Sequence, residues 1–245
     1  MVYYNEYNRQ AAFWLRELIA EQRIARGVVD ERPIEDVKPG DLRRFTQCHF
    51  FAGIGGWSLA LRLAGWPDDR PVWTGSCPCQ PFSSAGKRRG LYDERHLWPD
   101  FFRLIAECRP ITVFGEQVAA AVNHGWLDQV EGDLEGVGYA VGEIAFTAES
   151  AGAPHKRERL YFVADADRQK CRLERPPVGG GVVNGFWSSA TRVSCPDGKR
   201  RAIKPGVHPL AHGVPGYLGL MRGAGNAIVP PAAAEFIRAF VETKT

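Results

Sequence analysis

The sequence predicts a doubly wound α/β domain, in which helices cover both faces of a mostly parallel sheet. Short apolar runs typical of buried strands alternate with helical patterns along most of the chain. A glycine-rich turn joins the strand pattern at 46–51 to a helical pattern that begins near Trp57. The length of 245 residues and the hydrophobic content of 44% suffice for one large domain with a substantial core.

The predicted elements follow one another from the N-terminus. An amphipathic helix is expected at 9–23, where apolar side chains recur at helical spacing among Arg and Glu residues, and a short polar link follows it. The helix that begins near Trp57 ends before Gly65. The remaining elements are helices at 97–108, 126–137 and 232–241, and strands ending at Trp73 and covering 111–114, 141–146 and 159–164.

The glycine turn, Ala52-Gly53-Ile54-Gly55-Gly56, indicates a ligand site. A strand, a glycine turn and a helix form the Rossmann arrangement, in which the backbone approaches a nucleotide-like cofactor closely and a helix N-terminus faces it. The spacing of these glycines differs from the dinucleotide fingerprint, which argues against NAD and an oxidoreductase.

Charge and cysteine content narrow the classes of function. A net charge of +3 and a pI near 8.5 are compatible with a nucleic-acid partner. No stretch approaches the ~18 apolar residues of a membrane span, and the N-terminus lacks a signal-peptide pattern. We therefore expect a cytoplasmic protein with reduced thiols and without a membrane partner. Cys77-Pro78-Cys79 is too tightly spaced for the usual Cys-x-x-Cys site, so no metal is expected.

Cys79 is the candidate nucleophile. It lies between Pro78 and Gln80, after a short apolar run, and opens a segment rich in Gly, Ser, Lys and Arg. A thiol at the end of a strand, beside a basic loop, suits attack on a polyanionic substrate. A buried, inert thiol is the alternative for Cys79, and Cys77 is expected to be structural.

Five segments together resemble the cytosine-5 DNA methyltransferase family. They are Phe51-Ala52-Gly53-Ile54-Gly55-Gly56, similar to its motif for S-adenosylmethionine; Pro78-Cys79-Gln80, similar to its nucleophile motif; Glu116-Gln117-Val118, similar to its Glu-Asn-Val motif with Gln117 in place of Asn; Lys156-Arg157-Glu158-Arg159, similar to its Arg-x-Arg motif; and Gly225-Asn226-Ala227, similar to its last motif. The resemblance covers most of 50–166 and 223–241 and implies a Rossmann-like, S-adenosylmethionine-dependent methyltransferase fold.

The resemblance also implies roles for single residues. Cys79 would add to C6 of a cytosine, Glu116 would supply an acid at N3, and Arg159 would bind O2. A salt-bridged surface carboxylate is the alternative for Glu116. Binding of the cofactor is expected of Phe51, Gly53, Ile54, Gly55, Gly56, Pro78 and Asn226, and binding of the substrate of Gln80, Ser83, Gln117 and Arg157. The segment 81–96 would close as a lid over a base that has left the duplex.

The chain departs from the family pattern behind the glycine turn. The family has an acidic residue for the cofactor ribose there, but here one helix and one strand lead directly to Pro78. Val2-Tyr3-Tyr4-Asn5-Glu6-Tyr7-Asn8 resembles the missing second motif, and the segment from Asp30 to Ile34 resembles the third. We interpret this as a circular permutation that moves both motifs ahead of the first, which predicts Glu6, Tyr7, Asp30 and Ile34 in the cofactor site. An unrelated helical cap at 1–45 is the alternative.

These inferences predict a catalytic domain at 1–166 and 223–245, with 1–45 as the displaced cofactor-binding unit. A small irregular target-recognition module, rich in Gly, Pro, Arg and Lys, is predicted at 167–222. The expected reaction is methyl transfer from S-adenosylmethionine to C5 of a flipped-out cytosine in double-stranded DNA, by a monomer without an obligate protein partner. A tRNA cytosine-5 methyltransferase and a degenerate homologue that binds DNA without turnover remain as alternatives.

Overall fold

A computed structural model describes residues 1–78, 97–119, 125–153, 155–167, 191–194, 200–203 and 227–244. Its strands are β1 Val2–Asn5, β2 Gly27–Asp30, β3 Gln47–Phe50, β4 Val72–Gly75, β5 Thr112–Val118, β6 Ala140–Thr147, β7 Glu158–Asp165, β8 Thr191–Ser194 and β9 Arg200–Ile203. Its α-helices are α1 Arg9–Ala20, α2 Pro39–Leu42, α3 Gly56–Leu63, α4 Trp98–Cys108, α5 Trp126–Gly136 and α6 Pro230–Glu242, and 3-10 turns lie at Ile34–Asp36 and Ala148–Ala151.

Seven strands form one sheet in the order β2-β1-β3-β4-β5-β7-β6, and β8 and β9 form a separate antiparallel pair. Strands β1 to β5 are all parallel, whereas β7 runs antiparallel to both β5 and β6. The carboxyl ends of β1 to β5 therefore form one edge of the sheet, called here the carboxyl edge. The amino end of β7 lies at the same edge because this strand runs the opposite way.

Helices cover both faces of the sheet, and this confirms the predicted α/β class. On one face, Phe114 of β5 packs in a cluster with Trp57 of α3 and Phe236 of α6. On the other face, the neighbouring residue Val113 packs with Phe101 of α4 and Trp126 of α5. Successive side chains of a strand point to opposite faces, so β5 contributes to both halves of the core.

The N-terminal region differs from the sequence prediction in one element. The predicted polar link after α1 contains strand β2, which pairs in parallel with β1. This edge strand has only two apolar side chains, Val28 and Val29, so it lacks the apolar run by which a strand is recognised. Helix α1 begins as expected, because Asn8 Oδ1 accepts hydrogen bonds from the backbone N–H groups of the first turn.

Strand β5 is longer than predicted. It runs to Val118, so Glu116 and Gln117 lie inside a paired strand rather than beyond its end. Among the residues that the structure describes, no helix is long and apolar enough to cross a membrane.

Candidate active site

The predicted site residues that the structure describes gather at the carboxyl edge. Glu6 follows β1, Phe51 follows β3, Pro78 lies shortly beyond β4, and Glu116 lies near the end of β5. Helix α3, which follows β3, packs on one face of the sheet, whereas α4, the first described helix after β4, packs on the other. In open α/β sheets, such a divergence leaves a crevice between the two strand ends, and ligands bind there.

The glycine turn, residues 51–56, has the tight backbone that its sequence predicts. Phe51, Gly53 and Gly55 have φ values of +52°, +55° and +76°, which lie in the left-handed region. A Cβ at Gly55 would lie 2.8 Å from Ile24 Cδ1, and one at Gly56 would lie 2.7 Å from Ile228 Cγ1. Side chains are therefore excluded where α3 begins, and its N-terminal N–H groups stay close to the edge.

Glu6 contacts the glycine turn directly. Its Oε2 accepts a hydrogen bond from the Gly53 N–H at 2.7 Å, and its Oε1 accepts one from the Asn8 N–H at 2.8 Å. Burial raises the pKa of this carboxyl group, and the two backbone N–H donors oppose the shift. The structure thus brings together the glycine turn and an acid that lies 47 residues earlier in the chain.

Tyr7 is 71% exposed beside Glu6, so its ring is available to a ligand. Ile34, by contrast, is 3% exposed and packs in the core with Tyr3. A cofactor could contact the backbone of Ile34 but not a free side chain.

Asp30 ends β2 with a carboxylate that already has partners. Arg32 donates to it from Nε and Nη2, at 3.0 and 2.7 Å to Oδ2, and the Tyr3 hydroxyl donates at 2.8 Å. Burial opposes ionisation of Asp30, but these hydrogen bonds outweigh burial and hold its pKa below the usual range. An adenine amino group would have to share this carboxylate with Arg32.

Glu116 and Arg159 form a buried ion pair near the end of β5. Arg159 Nε lies 2.8 Å from Glu116 Oε1, because β7 pairs Tyr161 with Glu116 and places Arg159 two residues away on the same face. Burial raises the pKa of Glu116, although the charge of Arg159 and a hydrogen bond from Ser76 favour its ionised form. A carboxyl group in this environment can hold a proton that it later donates.

Gln117 projects to the opposite face from Glu116. Its Nε2 donates to the Cys77 carbonyl at 3.4 Å, and its Oε1 accepts from the Val118 N–H at 2.9 Å. The Cys77 side chain is 8% exposed and packs in the core. Gln117 therefore contacts the backbone of the segment that leads to Cys79.

Arg157 precedes β7 and connects two parts of the chain. Its Nη2 donates to the Ala227 carbonyl at 2.9 Å, directly after Asn226. Burial and the charge of Arg159 lower the pKa of this guanidinium group. The contact holds the start of the C-terminal segment against the Glu116 side of the edge.

Several predicted residues lie outside the described part of the chain: Cys79, Gln80, Ser83, Asn226, the segment 81–96 and most of 167–222. Pro78, the last described residue before Cys79, is exposed. Within the described residues, no cluster of His, Cys, Asp and Glu has the arrangement of a metal site.

Sequence reasoning missed two residues that contact the site. Ser76 hydrogen-bonds the carboxyl group of Glu116, and Trp57 donates from Nε1 to Ser76 Oγ at 3.0 Å. Both lie beside predicted motifs, but nothing in their spacing indicates that a residue of α3 and the residue after β4 meet next to Glu116.

Parts of the chain are similar to known DNA methylases. The family model for C-5 cytosine-specific DNA methylases matches residues 66–177. Type II methyltransferase M.AplI of Arthrospira platensis is 36% identical over 150 residues, which cover 46% of this chain and 44% of that protein. Type II methyltransferase M.HhaI of Haemophilus parahaemolyticus is 30% identical over 183 residues, which cover 58% of this chain and 56% of that protein.

A solved structure of a DNMT2 mutant from Spodoptera frugiperda aligns with a TM-score of 0.49 and 17% identity, and covers 71% of this chain and 45% of that one. The chain spans about half the length of the curated relatives described above. The matched stretch contains Pro78-Cys79-Gln80, Glu116 and Arg159 in the order that the sequence predicts. Over residues 66–177 the chain is therefore similar to the C-5 cytosine-specific DNA methylase family.

Proposed function

We propose that the protein transfers a methyl group from S-adenosylmethionine to C5 of a cytosine in DNA. The observation that carries this proposal is the buried Glu116–Arg159 pair at the carboxyl edge, beside the segment that leads to Cys79. A plain surface ion pair would not need a buried carboxyl group whose pKa is raised by that burial.

The residues around the glycine turn fit S-adenosylmethionine. The turn excludes side chains, the N-terminus of α3 faces the edge, and Glu6 offers a carboxyl group for ribose hydroxyls, with the exposed ring of Tyr7 beside it. When bound, this cofactor supplies a methyl group on a positively charged sulfur. The glycine turn, Glu6 and Tyr7 would hold it, with Asp30, the Ile34 backbone, Pro78 and Asn226 as further contacts.

Cys79 provides the covalent step. Its thiolate adds to C6 of the flipped-out cytosine, which breaks the aromatic system and makes C5 nucleophilic. The electron pair moves towards N3 and O2, where Glu116 donates a proton and Arg159 donates a hydrogen bond. After C5 has gained the methyl group, its proton is lost to solvent and the electron pair left behind forms the C5–C6 double bond. The Cys79–C6 bond then breaks to release the thiolate, and the proton on N3 returns to Glu116.

DNA is the proposed macromolecular partner, and the target base leaves the duplex to reach Cys79. Gln80, Ser83, Gln117 and Arg157 would contact the substrate or support the segments that do. The module at 167–222, which includes the β8–β9 hairpin, would read the target, and 1–166 with 223–245 would form the catalytic domain. A cytoplasmic monomer suffices for this reaction.

We also propose that residues 1–45 are the displaced cofactor-binding unit. Strand β1 lies between β2 and β3, and Glu6 meets the glycine turn, which an unrelated cap would not require. The family model matches only from residue 66 onwards, behind the glycine turn. Movement of this one unit explains the order of motifs, so the proposal does not need a circular permutation of the whole chain.

Bisulfite sequencing of DNA from cells that express the protein tests the proposed reaction. We expect cytosines that resist conversion with the unaltered protein and none with Cys79→Ser. Parallel incubations with labelled S-adenosylmethionine and either duplex DNA or tRNA separate the two substrates. Label in tRNA alone would replace DNA by tRNA as the substrate, and label in neither would leave a protein that binds without turnover.

A further inference from the structure

Trp57, Ser76 and Glu116 form a chain of hydrogen bonds across three elements. Trp57 Nε1 lies 3.0 Å from Ser76 Oγ, and the Ser76 hydroxyl hydrogen-bonds the carboxyl group of Glu116. Trp57 lies at the start of α3, directly behind the glycine turn, while Ser76 follows β4 and Glu116 lies in β5. These hydrogen bonds therefore connect α3, the helix beside the proposed cofactor site, to Glu116, the proposed acid.

The direction of the first hydrogen bond is fixed. An indole N–H can only donate, so Ser76 Oγ is the acceptor of the first bond. Its own proton is then free to point at Glu116. Trp57 cannot turn away, because it is 4% exposed, stacks on Phe114 at 6.2 Å and meets the edge of Tyr161 at 6.3 Å.

The strand register places Ser76 and Glu116 side by side. Gly75 pairs with Gly115 in the parallel β4–β5 ladder. Ser76 directly follows Gly75 and Glu116 directly follows Gly115. A Cβ at Gly75 would lie 2.5 Å from Phe101 Cε1, and one at Gly115 would lie 2.0 Å from Phe162 Cε1. These two glycines allow the strands to pack on aromatic rings of one face, while Ser76 and Glu116 face α3.

We propose that Trp57 and Ser76 are positioning residues that hold the Glu116 carboxyl group in the orientation needed to donate to N3 of cytosine. The proposal rests on the proposed function of Glu116. Arg159 binds Oε1, so a second donor from Ser76 fixes the plane of the carboxyl group rather than one oxygen alone. Neither Trp57 nor Ser76 is assigned a contact with substrate or cofactor.

The hydrogen bond from Ser76 also affects the pH range in which Glu116 is protonated. Among the described residues, the groups that face this carboxyl group are Arg157, Arg159 and Tyr161 on or next to β7 and Ser76 after β4, which Trp57 contacts in turn. A hydroxyl that donates to the carboxylate favours the ionised form, so removal of Ser76 should raise the pKa of Glu116. Activity that needs protonated Glu116 falls as pH rises through this pKa. The alkaline limb of the kcat profile should therefore move to higher pH in Ser76→Ala.

The test measures kcat, KM and their pH profiles on duplex DNA for Ser76→Ala, Ser76→Thr, Trp57→Phe and the control Trp66→Phe. Trp66 is also a buried tryptophan on this face, but its Nε1 donates to the Arg70 carbonyl, away from Glu116. We expect Ser76→Ala to lower kcat about tenfold, with KM changed less, because one hydrogen bond to a charged group is lost. Trp57→Phe should shift the alkaline limb in the same direction by less, Ser76→Thr should restore the profile, and Trp66→Phe should match the unaltered protein.

Alkaline limbs of Ser76→Ala and Trp57→Phe that superimpose on that of the unaltered protein would overturn the proposal. If the unaltered protein methylates no DNA, the proposed function fails on its own. In that case a carbon-13 NMR titration measures the pKa of Glu116, and the Glu116→Gln variant assigns the signal of its carboxyl carbon. An unchanged pKa of Glu116 in Ser76→Ala would overturn the positioning role of Ser76, and a raised pKa of Glu116 would support that role.

Discussion

Among single residues, Glu6 joins the N-terminal segment to the glycine turn. Its two carboxyl oxygens accept from the N–H groups of Gly53 and Asn8, so the side chain holds the turn and its own loop at once. A residue that only stabilised the fold would need an acceptor at this place, but not a charge. The two roles can therefore be separated by substitution.

We expect Glu6→Ala to weaken S-adenosylmethionine binding about 10- to 100-fold, the effect of losing a charge-assisted hydrogen bond. Glu6→Gln keeps an acceptor for the Gly53 N–H, so it should unfold at nearly the same temperature as the unaltered protein yet still bind the cofactor more weakly. Isothermal titration calorimetry measures the affinity. Glu17→Ala, an exposed position on α1, is the control. Unchanged affinity in Glu6→Ala would remove Glu6 from the cofactor site.

The sequence predicted single residues where a motif names them and missed those that only a fold brings together. Glu116 and Arg159 are predicted to act on the same base; their side chains form an ion pair, and their action on a base stays a prediction. Ser76 and Trp57 could not be predicted, because their contact depends on the register of β4 with β5 and on the position of α3. The engagement of Asp30 by Arg32 likewise depends on the path of the chain after β2.

At the level of elements, the paired glycines Gly75 and Gly115 make room for two aromatic rings on one face of the sheet. The ring of Phe101 from α4 lies over Gly75, and the ring of Phe162 from β7 lies over Gly115. Gly115 has no room for a side chain, whereas Gly132 in α5 has no atom within 4 Å of an added Cβ. We expect Gly115→Ala to lower the free energy of unfolding by about 1–3 kcal/mol through overpacking against Phe162. Gly132→Ala should raise it by up to about 1 kcal/mol, because alanine favours the helix.

Urea unfolding followed by circular dichroism measures both variants. The contrast between them is the test, since each replaces a glycine by the same residue. Equal stabilities would mean that Phe162 moves aside without cost and that the close packing at Gly115 does not constrain the sheet.

Most elements were predictable because their periodic patterns are long and apolar. Helices α4 and α5 and strand β7 lie within one or two residues of their predicted bounds. Strand β2 was missed because an edge strand of four residues, Gly27–Asp30, carries too short an apolar run. The end of β5 was placed too early because Glu116 and Gln117 are polar, and polar residues inside a buried strand are expected at functional sites.

At the level of the whole molecule, the arrangement of strands allows the N-terminal unit to be moved. The Thr46 N–H donates to the Met1 carbonyl at 3.0 Å, and the Val72 N–H donates to the Thr46 carbonyl at 3.3 Å. The amino ends of β1, β3 and β4 are therefore neighbours. Short linkers can rejoin the chain there without crossing the sheet.

A rearranged chain with the order 46–70, 1–45 and 71–245, joined by short Gly/Ser linkers, should fold into the same sheet. We expect its unfolding midpoint within about 5 °C of the unaltered protein, since the rejoined ends lose few contacts. Differential scanning calorimetry measures the midpoint, and a chain that lacks 1–45 is the control that should not fold. Failure of the rearranged chain to fold would show that residues 1–45 are not an independently movable unit.

Covalent trapping on DNA tests the central claim, which is that Cys79 attacks the cytosine ring. A pool of duplexes with 5-fluorocytosine in varied contexts blocks the last step, because fluorine at C5 cannot leave as a proton does. With S-adenosylmethionine present, we predict a complex that survives denaturation with the unaltered protein and with Cys77→Ser, and that is absent with Cys79→Ser and with unsubstituted duplexes. Absence of any adduct, or an adduct that persists in Cys79→Ser, would contradict the assignment of Cys79 as the nucleophile.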